Sequence, residues 1–490
     1  MVGRRLLDAA YREDLGGVRT GTRWPRLKAT RHGFDRIERQ EPVAEEPAAL
    51  LHGLGITSAT LAAELDDAVA NLAVAYQRRP EPPAAGVDLD AQAIAYERLA
   101  TEGHNLHPCG RTRLGWNAAD VLAYDQEADR VPVAFVAIRK DRHLGDDIGA
   151  LLGATYPDVP EAPAGYVVQP VHPWQREGVL RQRYDEVIAL PGGIDATPTL
   201  ALRTLLLPPD RAGRRHYLKV SLDIQVTSTR RSISIASTHN GPRISDLLAR
   251  LAGGDDRVVL MPEVAGAALQ DGRDASAILR GGLGARHDAD EVAMTAAALP
   301  ARSGGTTLLH AMVTRSGLAP IKFLESYARL LLTPILRMLD AGVGLEAHLQ
   351  NCVPIFRAGV PTRMAFRDFA GLRLHLPRLA ARSIRPALWP GSVTATTSID
   401  DVRAKVGYTA LQAHLGEIVV RLAETDGLDE TAAWQSLAGI IDDIYATERL
   451  DTADHGFFRA PTMPHKALVR MRLAGSGDVY VPVANPMHRA

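Results

Sequence analysis

The stretch HYLKVSLDIQVTSTRR, residues 216–231, alternates almost without fault. Leu218, Val220, Leu222, Ile224 and Val226 share one parity. Lys219, Ser221, Asp223, Gln225 and Thr227 share the other, continued by Thr229 and Arg231. A period of two predicts a β-strand with one buried face and one polar face. On periodicity alone the polar face is a wet surface, as antiparallel sheets commonly present. The competing reading makes it part of a site: Lys219, Thr227 and Arg231, with Arg203 and Thr204 of the preceding LRTLLL segment, would surround a polyanion. Asp223 has no evident role in either. It orients Lys219 or Gln225, or it faces solvent.

Bulk properties narrow the partners. At 490 residues the chain is too long for one small core and predicts two or three lobes. The 56 Lys and Arg nearly balance the 57 Asp and Glu, so nothing advertises a nucleic-acid or membrane partner, and any basic site must be local. Cys109 and Cys352 are the only cysteines and form no CxxC pair, which argues against a disulfide framework or structural zinc and fits a reducing cytoplasm. The opening MVGRRLLDAAYREDLGG lacks a signal-type apolar core. No apolar run approaches the roughly 18 residues of a membrane span.

Residues 45–78 read as helical, with Ser58 capping SATLAAELDDAVANLAVAYQ, and RRPEPPAAGVD (78–88) as a loop. A further helix should stop at Gly103. From 131 the texture changes: VPVAFVAI and GYVVQPVHPW are strand-like, while RISDLLARLAG and DASAILRGGLG read as helices. After Pro320 a long helix should kink at Pro334 and end at Gly342 or Gly344. LEAHLQNCVPIF and PTRMAFRDF form two strands around a turn, and helices fill the remainder. The fold class is α+β with antiparallel strands.

The common nucleotide and hydrolase motifs are absent: there is no GxxxxGK[ST], HExxH or GxSxG, and GGLGAR (281–286) reads as a turn. Other clusters could carry chemistry. EGHNLHPCGRTRLGW (102–116) gathers His104, His107, Arg111 and Arg113, either to grip anionic oxygens or as a solvated basic loop. VHPWQ (171–175) reads as structural, a buried Trp174 beside His172. In EAHLQN (346–351), Glu346, His348 and Gln350 would share a strand face. With Asp368 of RDFAG, this segment offers hard oxygen ligands suited to Mg²⁺. Asn351 followed by DFxG echoes the metal-binding pair of protein kinases, but the kinase aspartate and Gly-rich loop are missing.

In order along the chain, GHNLHPCGRTRLG, HPWQ, ALRT, KVSLDIQVTSTRR, EAHLQN, RDFAG and KALVRMR resemble the motif series of the IucA/IucC family, the nonribosomal-peptide-synthetase-independent (NIS) siderophore synthetases. The resemblance spans residues 103–472. It implies an α+β cupped hand with antiparallel sheets and a helical C-terminal region: a mainly helical thumb (1–120), mixed fingers carrying the nucleotide-binding strand (121–310) and a palm (311–490), usually as a homodimer. It implies a ligase that uses ATP and Mg²⁺ to adenylate a carboxylate, typically citrate or a related di- or tricarboxylic acid. An amine or hydroxyl then displaces AMP, building a siderophore or related metallophore. By the same resemblance Arg203, Thr204 and Lys219 hold the nucleotide, and Arg231, His348 and His107 stand at the reacting groups. Thr227, Gln350, Asn351 and Lys466 lie on the carboxylate side, and Glu346 and Asp368 lie near nucleotide and metal. Three positions depart from the pattern. Asn105 replaces a proline, which would loosen the first loop, Arg111 replaces a lysine, and Ala201 replaces a serine. The PPDRAGRR hairpin before Tyr217 looks lengthened. The alternatives are a kinase-like phosphotransferase and a non-catalytic paralogue that binds nucleotide or acid.

Overall fold

The computed structural model describes residues 1–20, 28–39, 43, 45–83, 87–227, 229–284, 288, 290–475 and 477–488. Residues 84–86 of the expected 78–88 loop and 285–286 of the GGLGAR turn lie outside them. The opening segments are helices, Val2–Arg12, Pro47–Gly53, Ala59–Gln77 and Leu89–Glu97. Ser58 caps the third as its sequence demands, accepting from Leu61 N at 3.3 Å.

An eight-stranded antiparallel sheet follows, in the spatial order 143–145, 263–269, 277–281, 216–220, 204–206, 188–198, 131–139, 166–171. The helix expected in DASAILRGGLG is instead the strand Ala277–Gly281. Flanked by two strands, it buries Ala277 and Leu279 in one core while Ile278 and Arg280 face the other side. Pairing and burial override the helical preference of alanine.

The 216–231 stretch is not one strand. His216–Val220 belongs to the large sheet, whereas Leu222–Val226 pairs with Thr229–Arg231 as a separate hairpin. Ser221 breaks the ladder: its N–H donates to Ser276 O and its hydroxyl to Arg273 O, and Ile233 N donates back to it. The alternation survives the break because one parity feeds two cores. Leu218 and Val220 pack within the sheet, and Leu222 and Ile224 pack with Trp116, Val121 and Leu202. The other face is not wet: Lys219 and Ser221 are also buried. Asp223 clamps the hairpin to the segment after HPWQ, meeting Arg183 at 2.8 Å and Arg230 at 2.5 Å.

The second core surrounds the helix Pro320–Ala341, which runs unbroken through Pro334 and ends at Gly342 in the left-handed region, φ 98°. The helix packs against Glu430–Glu448 and the strand Val360–Phe366. The latter pairs with Cys352–Arg357 as the sequence predicted. EAHLQN, however, is not a strand: 345–348 is irregular and Leu349–Asn351 is a 3₁₀ turn. Leu206 and Tyr217 of the large sheet pack on Val353, Ile355 and Ala365 of the smaller one. Lys219, two residues from Tyr217, thereby reaches the junction of the two lobes.

Several histidines have their proton affinity lowered by desolvation, among them the buried His107, His172, His414 and His465. His172, against Trp116 and Tyr124, is pushed down to about 3. In the unfolded chain it takes a proton near 6.5. Its contribution to stability is therefore complete above that pH and is lost as pH falls from 6.5 toward 3. His172→Asn, which keeps an acceptor for Trp174 N, should recover about 2 kcal/mol of the stability lost between pH 7.5 and 5. Urea midpoints at the two pH values measure it.

Candidate active site

The two lobes and the N-terminal helices enclose a cavity of about 1080 Å³. Of the sequence-predicted residues, Arg203, Thr227, Arg231, His348, Gln350 and Asp368 line it. The strand 216–220 brings Lys219 beneath them. Its ammonium meets Asp368 Oδ1 at 2.5 Å, and Arg280 lies 3.8 Å from the other carboxylate oxygen. Arg203 donates to the carbonyls of Arg231 and Ser232 at 2.5 and 3.1 Å. Arg231 reaches only a hydroxyl, Thr227 Oγ1 at 3.2 Å, and among the described residues has no carboxylate within 4 Å. Thr227 itself sits at φ 56° in the hairpin turn.

Burial penalises these charges, so each registers the others. Lys219 falls below its ordinary value through burial, with Asp368 opposing and Arg203 adding repulsion. Arg231 falls through burial and the neighbouring Arg203 and Arg113. Asp368 is held far below the usual carboxylate range, since Lys219, Arg280 and Arg203 outweigh its burial. Arg280 and Glu263 were not picked out in the sequence, because their segments showed no motif and Arg280 was read as helical. Glu263 is fully buried, both its oxygens lack hydrogen-bond partners among the described residues, and Arg280 is 3.8 Å away. Four cations, Arg203, Lys219, Arg231 and Arg280, thus face two carboxylates, Asp368 and Glu263. Such a floor attracts anions. Thr204, opposite Lys219 in the ladder, adds a buried hydroxyl without a partner among the described residues.

The loop 345–351 supplies the opposite wall. His348 is half-buried and its proton affinity is lowered, burial outweighing Glu346 and Asp368, which favours the neutral imidazole at pH 7. Glu346 and Asn351 do not line the main cavity. They border a small recess beside Asp368, where Lys405 Nζ holds Glu346 at 3.0 Å and Asn351 Nδ2 donates to Glu346 O at 3.0 Å. Gly371 lets Glu346 pack closely, since a Cβ there would lie 1.8 Å from Glu346 Oε2 and displace that carboxylate. Arg367, beside Asp368 in the same motif, supports the wall by donating to Gln350 O at 3.0 Å. Lys466 also lies off the cavity, paired with Asp478 at 2.8 Å. Among the described residues no group of three acidic, histidine or cysteine side chains is set to hold a metal.

The first loop divides differently from its sequence reading. His104 lines the cavity, whereas His107 lies behind it, accepting from Cys109 N at 3.0 Å. Arg111 and Arg113 do not form a free anion grip: they are buried against Glu127 and Asp125. Arg111 reaches both oxygens of Glu127 through Nη2 alone, at 2.8 and 2.9 Å, which keeps the charge contact without a two-nitrogen fork. The loop is not loosened at Asn105, whose amide donates to Ala413 O at 2.9 Å and Glu417 Oε2 at 3.2 Å. Asn105→Ala should cost about 1–2 kcal/mol through these two bonds, read from the urea midpoint. Arg470 and Arg472 of KALVRMR are anchors: Arg470 binds Glu13 O at 2.6 Å, and Arg472 grips Glu64, which also accepts from Gln225 at 2.8 Å.

Residues 92–301 match the model of the IucA / IucC family, and residues 322–480 match that of the ferric iron reductase FhuF-like transporter. The chain is 24% identical to D-ornithine–citrate ligase of Staphylococcus aureus, over 80% of this chain and 70% of that one. The solved structure of the petrobactin biosynthesis protein AsbB from Bacillus anthracis superposes with a TM-score of 0.84 at 20% identity, covering 99% of this chain and 94% of that one. ATP-bound aerobactin synthetase IucA from Klebsiella pneumoniae gives 0.74 at 20% identity, covering 90% and 85%. With the ordered motifs and the shared fold, the chain is similar to the IucA/IucC family of NIS siderophore synthetases.

Proposed function

We propose that the protein is an ATP-dependent synthetase that adenylates a polycarboxylate such as citrate and joins it to an amine or hydroxyl. The observation that carries this is the excess of buried and half-buried cations at the floor of a two-lobed cavity. Adenylation brings a carboxylate against the α-phosphate, and two anions meet only where fixed cations offset their repulsion. Arg203, Lys219 and Arg231 are preorganised for that charge. Leu200, Ala201, Ala297, Pro300 and Leu349 give the cavity an apolar wall suited to a purine. The relatives support the reading: one is a D-ornithine–citrate ligase, another a synthetase solved with ATP.

The carboxylate oxygen attacks the α-phosphorus, the bond to the bridging oxygen breaks, and pyrophosphate leaves. The amine then attacks the acyl carbon, AMP departs, and the nitrogen gives up a proton. His348, neutral and facing the cavity, is placed to take it. The hard oxygens of Glu346 and Asp368 fit a Mg²⁺ that arrives with the polyphosphate, as that ion is commonly bound by one or two carboxylates plus phosphate. Once bound it would neutralise the departing pyrophosphate. Asn351, committed to Glu346 O, gives no support to a kinase-like site. Incubation with ATP, Mg²⁺, hydroxylamine and citrate, succinate or 2-oxoglutarate should yield hydroxamate and AMP. ADP as the nucleotide product would overturn the adenylation reading.

A further inference from the structure

Three successive residues of the 345–351 loop are fixed from one side by a single helical segment. Lys405 Nζ holds Glu346 at 3.0 Å, the Thr409 hydroxyl, shared with Lys405 O at 2.8 Å, lies 3.3 Å from Leu345 O, and His414 Nδ1 meets Ala347 O at 3.0 Å. The next residue, His348, faces the cavity. Positions 405 and 409 share a face of any α-helix, but 414 lies five residues beyond 409, about 140° round an α-helix. The segment Gly407–Leu415 is not α-helical. It is wound as a π-helix, fully buried, inside the continuous helical run 399–426. Its i→i+5 bonding returns 414 toward the face of 409. The extra residue in the turn is what lets one helix reach both carbonyls.

The chemistry of His414 is also fixed. A carbonyl opposite Nδ1 requires a proton on that nitrogen, so Nε2 is the acceptor, and Tyr327 OH donates to it at 2.7 Å. Both side chains are fully buried. The ring is therefore a neutral strut between the helix Pro320–Ala341 and the loop. The same π segment ties the first loop through Ala413 O and Asn105, and the Lys466 strand through Gln412 and Pro464 O at 2.9 Å.

Building on the ligase reading above, we infer that the π-helical turn 407–415 is a positioning device for the reaction, with His414, oriented by Tyr327, as the residue that sets where His348 stands. It acts through the Ala347 carbonyl and touches no substrate. Its loss should lower kcat rather than weaken ATP binding, because the cations that hold phosphate lie outside the loop.

The test compares His414→Leu, which removes the donor, with His414→Asn, whose amide nitrogen can replace Nδ1. In the hydroxamate assay, His414→Leu should lose about 10- to 100-fold in kcat with the KM for ATP within about threefold, and His414→Asn should recover most of that loss. Hydrogen exchange of the 345–351 amides, which needs no turnover, should accelerate in His414→Leu and return toward wild type in His414→Asn, with the 216–220 strand unchanged in both. If His414→Leu does not fold, Tyr327→Phe, which frees the ring to turn, should show the same loop-specific exchange. Unchanged exchange at 345–351, or kcat retained within twofold, overturns the proposal. So does a loss of kcat that His414→Asn does not relieve. A wild-type enzyme inactive on every acid would instead count against the ligase reading, and the exchange experiment would decide the positioning role alone.

Discussion

Arg231→Ala should lower adenylate formation at least about 100-fold while leaving the protein as stable as before, or slightly more so. The two halves follow from one observation. Arg231 is half-buried beside two other guanidiniums, Arg203 and Arg113, and among the described residues its side-chain partner is the Thr227 hydroxyl. Among the described residues no ion pair breaks when it goes, and repulsion within the floor falls. Stability that waits for an anion is of little use to the free protein but large in the transition state, where charge accumulates between the carboxylate and the α-phosphate. The loss should fall mainly on kcat, since Arg203 and Lys219 remain to hold ATP. Arg231→Lys should recover only part of the rate, because an ammonium lacks the planar fork. Hydroxamate formation and a thermal melt on the same preparation measure both halves. Wild-type turnover in Arg231→Ala would remove Arg231 from the site.

Part of this was legible in the sequence because motifs name residues that chemistry fixes. Arg203, Lys219, Arg231, His348 and Asp368 were all singled out from the chain, and the structure brings them to one cavity floor and its opposite wall. What stayed hidden was the role of residues whose meaning depends on the tertiary partner. The polar parity of 216–231 gives no sign that its lysine is buried, since a period of two cannot distinguish water from a second lobe. Arg111 and Arg113 look like a cationic grip until Asp125 and Glu127, more than ten residues on, are folded against them. Arg280 and Glu263 carry no motif at all and join the site only through strand order. The 405–409–414 spacing reads as an ordinary helix, because a π turn leaves no period of its own.

The largest stability effect is expected at Glu97, a helix residue with no motif to mark it. Its carboxylate is fully buried and collects donors from three parts of the chain: Leu200 N at 2.9 Å, Thr295 Oγ1 at 2.7 Å and the Arg367 guanidinium. Arg367 is itself buried, and its charge is sustained, against burial, first by Glu97. Glu97→Ala would strand that guanidinium without a carboxylate in the interior, a defect that typically costs about 3–5 kcal/mol. If the stranded charge is the cause, Arg367→Met introduced with Glu97→Ala should restore much of the loss, and the pair should be strongly non-additive. If the lost donors at Leu200 and Thr295 dominate instead, the double variant should be no better than the single. Urea unfolding of the wild type, both single variants and the double variant separates these outcomes. Function should follow the same bonds. Leu200 belongs to the apolar wall and Arg367 holds Gln350 O, so Glu97→Ala should also raise the KM for ATP under conditions where the variant remains folded.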